Sequence, residues 1–215
     1  VKYVQPKKDS EGNFKLGFFL RDDLNGIGTI TYFTRNGEFA SLGHPVSDDD
    51  GKIIPLSGGQ AYLCSIINVV KGERGKAGEL KGIFIDDTKI GSLIKNCETG
   101  LYGKAEGNYN YSKLPKTEIG EAVMGKAMIT TCIDGVIPKE YQISILKIDN
   151  SNRENKSFVI KILDKELLYV TNGILQGMSG SPIVQGGKIV GAVTHVFIND
   201  PSRGFGISIN KMLEK

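Results

Sequence analysis

The sequence of 215 residues contains no tryptophan, only two histidines and three cysteines. It has no run of about 20 apolar residues, the length that a helix needs to cross a bilayer, and it does not begin with a signal peptide. Cys64, Cys97 and Cys132 are odd in number and form no C-x-x-C pair, which disfavours a zinc site and a complete disulfide framework. We therefore expect free thiols, with Cys64 and Cys132 buried in apolar segments, and neither a metal nor a cofactor.

Charge of either sign is not in large excess. Lys and Arg number 27 and Asp and Glu 24, which gives a net charge of +3, and basic residues are interspersed with acidic ones. A protein that binds nucleic acid usually gathers its basic residues in a patch or stripe. The sequence therefore argues against nucleic acid as a partner.

Glycine, in contrast, is abundant, with 28 residues. Most apolar segments have the length of a strand, and several alternate apolar and polar residues, as in YQISILKI. Between them lie Asn-Gly in RNGE at 35–38, Asp-Gly in DDGK at 49–52 and Gly-Gly in QGGK at 185–188, all typical of two-residue hairpins. The pattern predicts an all-β protein, built as a barrel or a sandwich.

Helical character is confined to two short segments, DKELLYV at 164–170 and the tail INKMLEK at 209–215. The polar stretches in the chain are typical of surface loops rather than of linkers between domains. One of them, near residues 107–119, is where two β-barrel halves could divide. We otherwise predict a single domain over residues 1–215.

The segment GMSGSP, residues 177–182, places a serine between two glycines just before a strand. A serine hydroxyl is a weak nucleophile, so catalysis requires a base that takes its proton and donors that stabilise the oxyanion. Gly177 would let its own N–H and that of Ser179 point into one pocket. The alternative is a tight turn without chemistry. An α/β-hydrolase site is excluded, because that motif needs a helix after the serine and SPIVQGGKIVGAV is strand, turn and strand.

The two histidines, His44 and His195, are the candidates for the base. His44 follows the end of the strand EFASLGH, whereas His195 lies inside the alternating run GAVTHVF. A side chain at a strand end can reach a cleft more easily, so His44 is favoured. The acid that would orient it stays open, because triad members meet in space and not in sequence. The aspartates considered are Asp48, Asp86, Asp87, Asp134, Asp149 and Asp164. Asp48 could instead belong to a hairpin tip, and Asp164 could cap a helix.

Three segments resemble the stage IV sporulation protein B peptidases, a serine peptidase family of endospore-forming bacteria. They are NGILQGMSGSPIVQGGKIVGAVTHVFINDPSRGFGISI, LNGIGTITYF and SLGHPVSD. The resemblance extends from about residue 13 onward and is loose over about residues 95–160. It implies an all-β, trypsin-like double β-barrel with short helices.

The resemblance also implies the roles of the site residues. Ser179 matches the nucleophile, His44 the base, and Asp164, which lies 15 residues before the serine, the acid. The N–H groups of Gly177 and Ser179 would form the oxyanion hole.

Substrate binding is implied on an edge strand. Thr194, His195 and Val196 would pair with the substrate backbone by strand addition. In the comparison with trypsin-like two-barrel peptidases, Thr194 takes the place of a serine that supports the acid.

The same resemblance implies that a membrane segment and a peptide-binding PDZ domain precede Val1 in the whole protein. It implies secretion from the forespore into the space between the forespore and mother-cell membranes. The expected substrates are the protein itself and a regulatory membrane protein that restrains an intramembrane protease, which activates a late mother-cell sigma factor. The alternative is a β-barrel module that binds extended peptides and cleaves nothing.

Overall fold

The computed structural model describes residues 7–15, 24–149, 151 and 154–214, without the side chains of Lys15 and Asp86. Most of the described chain is β-structure, arranged in two large sheets and one small one. The small sheet pairs two short strands near the start of the chain, β1 (Lys7–Lys8) and β2 (Phe14–Lys15). The all-β class predicted from the sequence is confirmed.

The first large sheet is an open, antiparallel half-barrel of five strands in the order β3-β4-β7-β6-β5. The longest strand bends through several breaks in register, which let one strand follow a curved sheet. The strands are β3 (Ile30–Phe33), β4 (Glu38–Ser41), β5 (Gln60–Val70), β6 (Glu79–Cys97) and β7 (Gly100–Ala105).

The second large sheet closes on itself. Its order is β12-β9-β10-β11-β14-β13-β8, and an additional pairing of β12 with β13 completes a ring of six strands. The expected arrangement of two β-barrel halves is therefore confirmed, with one barrel closed and the other open. The strands are β8 (Glu118–Ile119), β9 (Gly125–Thr131), β10 (Lys139–Ile148), β11 (Phe158–Ile162), β12 (Pro182–Gln185), β13 (Lys188–Phe197) and β14 (Asp200–Ser208).

Alternation along the strands fills the closed barrel. In β10, Tyr141, Ile143 and Ile145 are buried, whereas the residues between them are partly exposed, because successive side chains of a strand point to opposite faces. Burial of one such aliphatic side chain stabilises the fold by about 1.5–3 kcal/mol. The neighbouring strands contribute the other large, fully buried side chains Ile129, Phe158, Ile160, Ile162 and Ile183.

The predicted turns at 35–38 and 185–188 join β3 to β4 and β12 to β13. Gly186 and Gly187 both have positive φ, 59° and 77°, as a two-residue hairpin of type I′ requires. The turn at 49–52 is also formed, but it is closed by an isolated bridge from Ser47 to Ile53 and joins no two strands of the large sheets.

Two short helices complete the described fold, α1 (Lys165–Thr171) and α2 (Ile209–Leu213). Both lie where the sequence predicts helical character, although residue 215 of the second segment is outside the described residues. Residues 106–117, which include a 3₁₀ turn at Tyr111–Lys113, connect β7 of the half-barrel to β8 of the closed barrel. No helix within the described ranges is both long and apolar enough to span a membrane.

The three cysteines are free thiols, and each is half-buried rather than fully buried. Cys64 lies on β5, and Cys132 directly follows β9. Burial raises the pKa of both thiols, which keeps them protonated at neutral pH.

Candidate active site

Ser179 lies in a tight turn that enters the closed barrel. The Ser181 N–H donates to the Met178 carbonyl at 3.0 Å, and Gly180 has a φ of 91°, a conformation that favours glycine at the third position of a turn. A Cβ on Gly180 would lie 2.0 Å from the carbonyl oxygen of Thr29. The glycine after the serine is therefore required by conformation and by close contact with the half-barrel.

His44 lies just beyond β4, after a strained three-residue turn. The Gly43 N–H donates to the Ser41 carbonyl at 2.8 Å, which encloses Leu42 at a φ of 68°. A side chain in this left-handed region costs about 1–3 kcal/mol. A Cβ on Gly43 would lie 2.9 Å from Cγ2 of Thr194. The turn thus presses the segment before His44 against β13 of the closed barrel.

Thr29 and Thr31, which the sequence interpretation did not single out, join the segment before His44 (the base segment) to the turn that carries Ser179 (the nucleophile turn). The Thr29 N–H donates to the Ser179 carbonyl at 2.9 Å, and the Thr29 carbonyl accepts from the Leu42 N–H at 3.3 Å. The buried Thr31 hydroxyl donates to the Gly180 carbonyl at 2.8 Å. In the sequence, the alternating T-I-T of GIGTITYF indicates only a strand, and it does not reveal these hydrogen-bond partners.

The Ser179 hydroxyl donates to the backbone carbonyl of Thr194, with 2.7 Å between the oxygens. Nδ1 of His44 lies 2.8 Å from the carbonyl oxygen of Pro45. Because a carbonyl can only accept, Nδ1 carries the hydrogen and the other nitrogen, Nε2, is left as the acceptor. His44 therefore has the tautomer that a general base for serine needs, while the serine proton is held elsewhere.

Burial lowers the pKa of His44 below its ordinary value, and the hydrogen bond to Pro45 partly opposes this shift. The ring of His195 lies against it, with 4.9 Å between the centroids and a tilt of 40°. The pKa of His195 is lowered to about 4, first by desolvation of its ring and then by the charges of His44 and Lys156. Both imidazoles are neutral at neutral pH.

The backbone near Ser179 offers two donors. Gly177 has a φ of 100°, and within the described part of the chain neither the Gly177 N–H nor the Ser179 N–H donates a hydrogen bond. Their role as oxyanion donors stays a prediction.

The structure does not bring a described carboxylate to His44. Asp164 accepts from the Leu167 N–H at 3.0 Å and caps α1, while Asp48 accepts from the N–H groups of Asp50 and Lys52 in its own turn. The side chain of Asp86 is outside the described residues. In the structure, Nδ1 of His44 lies against the Pro45 carbonyl and Asp164 caps α1, and the role of Asp164 as the acid stays a prediction.

The predicted substrate edge is part of β13. His195 and Val196 pair with β14, whereas the pairing of β13 with β12 ends at Ala192. Among the described strands, only β14 pairs with β13 beyond that point. The Thr194 carbonyl on this edge accepts from the Ser179 hydroxyl, and the binding of substrate along the edge stays a prediction. Within the described ranges, no group of three or more His, Cys, Asp or Glu side chains could hold a metal ion.

The structure thus has a serine on a glycine turn, a neutral histidine on the other barrel and, among the described residues, two backbone amides without an acceptor. Acyl transfer by a serine requires groups of these kinds. The family model described as SpoIVB peptidase S55 matches residues 12–213. The chain belongs to this family and is a peptidase.

A similar solved structure is the Rv3671c protease from M. tuberculosis in its active form. It is 13% identical, with 71% of this chain and 79% of that chain covered and a TM-score of 0.40. None of the curated proteins compared matches the sequence significantly.

Proposed function

We propose that this peptidase is a serine endopeptidase in which Ser179 is the nucleophile and His44 the general base. One observation carries this proposal: across the seam, Ser179 and the Nε2-acceptor tautomer of His44 are both anchored to β13, through Thr194 and His195. The free amides of Gly177 and Ser179 supply the oxyanion hole. Extended substrate adds along Thr194–Val196, as strand addition requires an unpaired edge.

The reaction begins when the Ser179 hydroxyl turns from the Thr194 carbonyl toward Nε2 of His44. Oγ attacks the peptide carbonyl as His44 takes the proton, and the two amides stabilise the oxyanion. The imidazolium then gives its proton to the leaving amine. A water molecule, deprotonated by His44, releases the acyl group from Ser179.

We further propose Asp164 as the acid of this site. The support for this role is the family resemblance, since in the structure its carboxylate caps α1 and the Pro45 carbonyl orients His44. The two roles make different demands on the side chain: an acid needs the negative charge, whereas a cap needs only an acceptor oxygen. Substitution can therefore separate them.

Family membership supports a place in sporulation signalling. We propose that the protein cleaves itself and a regulatory membrane protein, which leads to activation of a late mother-cell sigma factor by an intramembrane protease. It would act after secretion from the forespore into the space between the two membranes. Protease protection of the protein in sporulating cells tests the location, and a protected cytoplasmic pool alone would contradict it.

Ser179→Ala tests the chemistry, with Ser181→Ala as the matched control. Ser181 lies two residues on in the same turn, and its buried hydroxyl has no hydrogen-bond partner among the described residues. Loss of the nucleophile is expected to reduce peptide cleavage by about 10⁶-fold and to abolish fluorophosphonate labelling, whereas Ser181→Ala retains both. Cleavage by the Ser179→Ala protein would rule out Ser179 as the nucleophile.

Mixing the Ser179→Ala protein with the active peptidase tests self-cleavage. If the protein is its own substrate, the inactive chain is processed only when the active one is present. An inactive chain that stays intact at all ratios would limit the substrates to other proteins.

A further inference from the structure

The ring contact between His44 and His195 joins the two barrels at the site. His44 follows β4 of the half-barrel, and His195 lies on β13 of the closed barrel. Their ring centroids are 4.9 Å apart with a tilt of 40°, a separation at which rings pack favourably. The base therefore contacts a side chain of the barrel that carries the nucleophile.

The other restraint on the base is a single hydrogen bond, from Nδ1 of His44 to the Pro45 carbonyl. One hydrogen bond fixes the tautomer but leaves the ring able to swing about its bonds. No carboxylate hydrogen-bonds to His44 among the described residues. The ring of His195 supplies a second restraint, because it covers one face of the imidazole.

Consecutive residues of β13 contact the two proposed catalytic groups. The Thr194 carbonyl accepts from the Ser179 hydroxyl at 2.7 Å, and the His195 ring packs on His44. One short segment of β13, where the register with β14 shifts between Val193 and His195, thus contacts both the proposed nucleophile and the proposed base.

We propose that His195 is a positioning residue, whose ring packs on His44 and holds it in the orientation that accepts the Ser179 proton. This inference rests on the proposed function of Ser179 and His44. The role depends on ring packing and not on a nitrogen of His195, because no hydrogen bond joins the two described imidazoles.

The charge state of His195 is consistent with this role. Desolvation and the positive charges of His44 and Lys156 hold the pKa of His195 at about 4. Among the described groups, the charges that act on His195 are thus those of His44, opposite it, and of Lys156, which precedes β11. At neutral pH, His195 adds no charge that would oppose protonation of His44.

The labelling rate of Ser179 with a small fluorophosphonate separates positioning from substrate binding, since this reagent needs no peptide edge. His195→Ala is expected to slow labelling by about 10- to 100-fold, the cost of a misplaced reacting group. His195→Phe keeps a flat ring and is expected to restore most of the rate. Tyr169→Ala, which removes an exposed ring on α1, is the control and should label as the wild type does.

An unchanged labelling rate in His195→Ala, together with a raised KM for peptides, would make His195 a substrate contact and overturn the proposal. So would a His195→Phe protein as slow as His195→Ala, because a nitrogen would then be required.

A second readout does not depend on activity. The chain has two histidines, so the ring signals of His44 can be followed by NMR during a pH titration. His195→Ala is expected to raise the pKa of His44 toward its ordinary value, because the His44 ring becomes more exposed to water, and His195→Phe is expected to keep this pKa low.

The two experiments separate the proposals. If the wild type is not labelled by the fluorophosphonate, the proposed catalytic function fails. An unchanged His44 pKa in His195→Ala would refute ring packing itself.

Discussion

The hydroxyl of Ser179 donates its hydrogen bond to the backbone carbonyl of Thr194, with 2.7 Å between the two oxygens. In the proposed mechanism, the proton that His44 takes is therefore held by the strand proposed to bind substrate. That mechanism requires a rotation of the serine side chain toward Nε2 of His44. The glycine turn, the base segment and β13 already have the positions that this rotation requires in the proposed mechanism.

Thr31→Val removes the hydroxyl that donates to the Gly180 carbonyl and nearly conserves the shape of the side chain. Thr31 is only 6% exposed, so the unpaired carbonyl is expected to cost about 1–3 kcal/mol of unfolding free energy. Turnover should fall as well, because the nucleophile turn loses its attachment to the half-barrel. Urea unfolding and peptide cleavage measure the two effects. Thr31→Ser keeps the donor and is the control; a Thr31→Val protein with wild-type turnover would contradict the positioning role.

Gly177→Ala is expected to disturb the oxyanion donors. Its φ of 100° disfavours a side chain, and the new Cβ would lie 3.1 Å from Cβ of Leu80, so the backbone amide must shift. Loss of one oxyanion donor costs about 100- to 1000-fold in kcat. Gly186→Ala is the matched control, since Gly186 also has positive φ but no atom lies near its added Cβ. Equal kcat losses in the two variants would remove the special role of Gly177.

Asp164→Asn separates the acid from the helix cap. Asparagine caps a helix about as well as aspartate, so the midpoint of thermal unfolding should stay near that of the wild type. Under the proposed role of Asp164 as the acid, removal of its charge is expected to lower kcat by up to about 10⁴-fold. Asp164→Ala should in addition lose about 1 kcal/mol of stability. Full activity in Asp164→Asn would leave it as a cap and make the Pro45 carbonyl the group that orients His44.

The pH dependence of kcat/KM should report the lowered pKa of His44. A general base works in its neutral form, so activity falls when the pH drops through the pKa of the free enzyme. Because burial lowers this pKa below 6.5, activity is expected to persist to a lower pH than an ordinary histidine would allow. A pH series of initial rates gives the midpoint of the acid limb. A midpoint at or above 6.5 would contradict the burial of the base.

The strands and the nucleophile turn could be predicted from sequence because their signals are local. YQISILKI alternates and forms β10, QGGK gives the two positive φ angles of the hairpin, and GMSGSP places Ser179 in a turn. The helix at 165–171 follows from its own residues and from Asp164 as its cap. Each of these features depends on neighbours within a few positions.

The partners of the site residues could not be predicted in this way. Nothing in the sequence reveals that Pro45 accepts from His44, that Leu42 adopts positive φ, or that Thr31 reaches Gly180 across 149 positions. The contact between Thr31 and Gly180 forms only when the half-barrel meets the closed barrel. The contact of His44 with Pro45 and the φ of Leu42 belong to the conformation of the turn after β4, for which the sequence has no turn signal.

By itself, the sequence determined the all-β class, the turn that carries Ser179 and the choice of His44, because glycine turns, strand alternation and a shortage of histidines act locally or by composition. Only the tertiary structure decided which atoms the two candidate catalytic side chains contact: Ser179 the Thr194 carbonyl, and His44 the Pro45 carbonyl and the ring of His195. Hydrogen bonds and ring contacts depend on distances of a few ångströms, and the contact of His44 with His195, like that of Thr31 with Gly180, forms only where the two barrels meet.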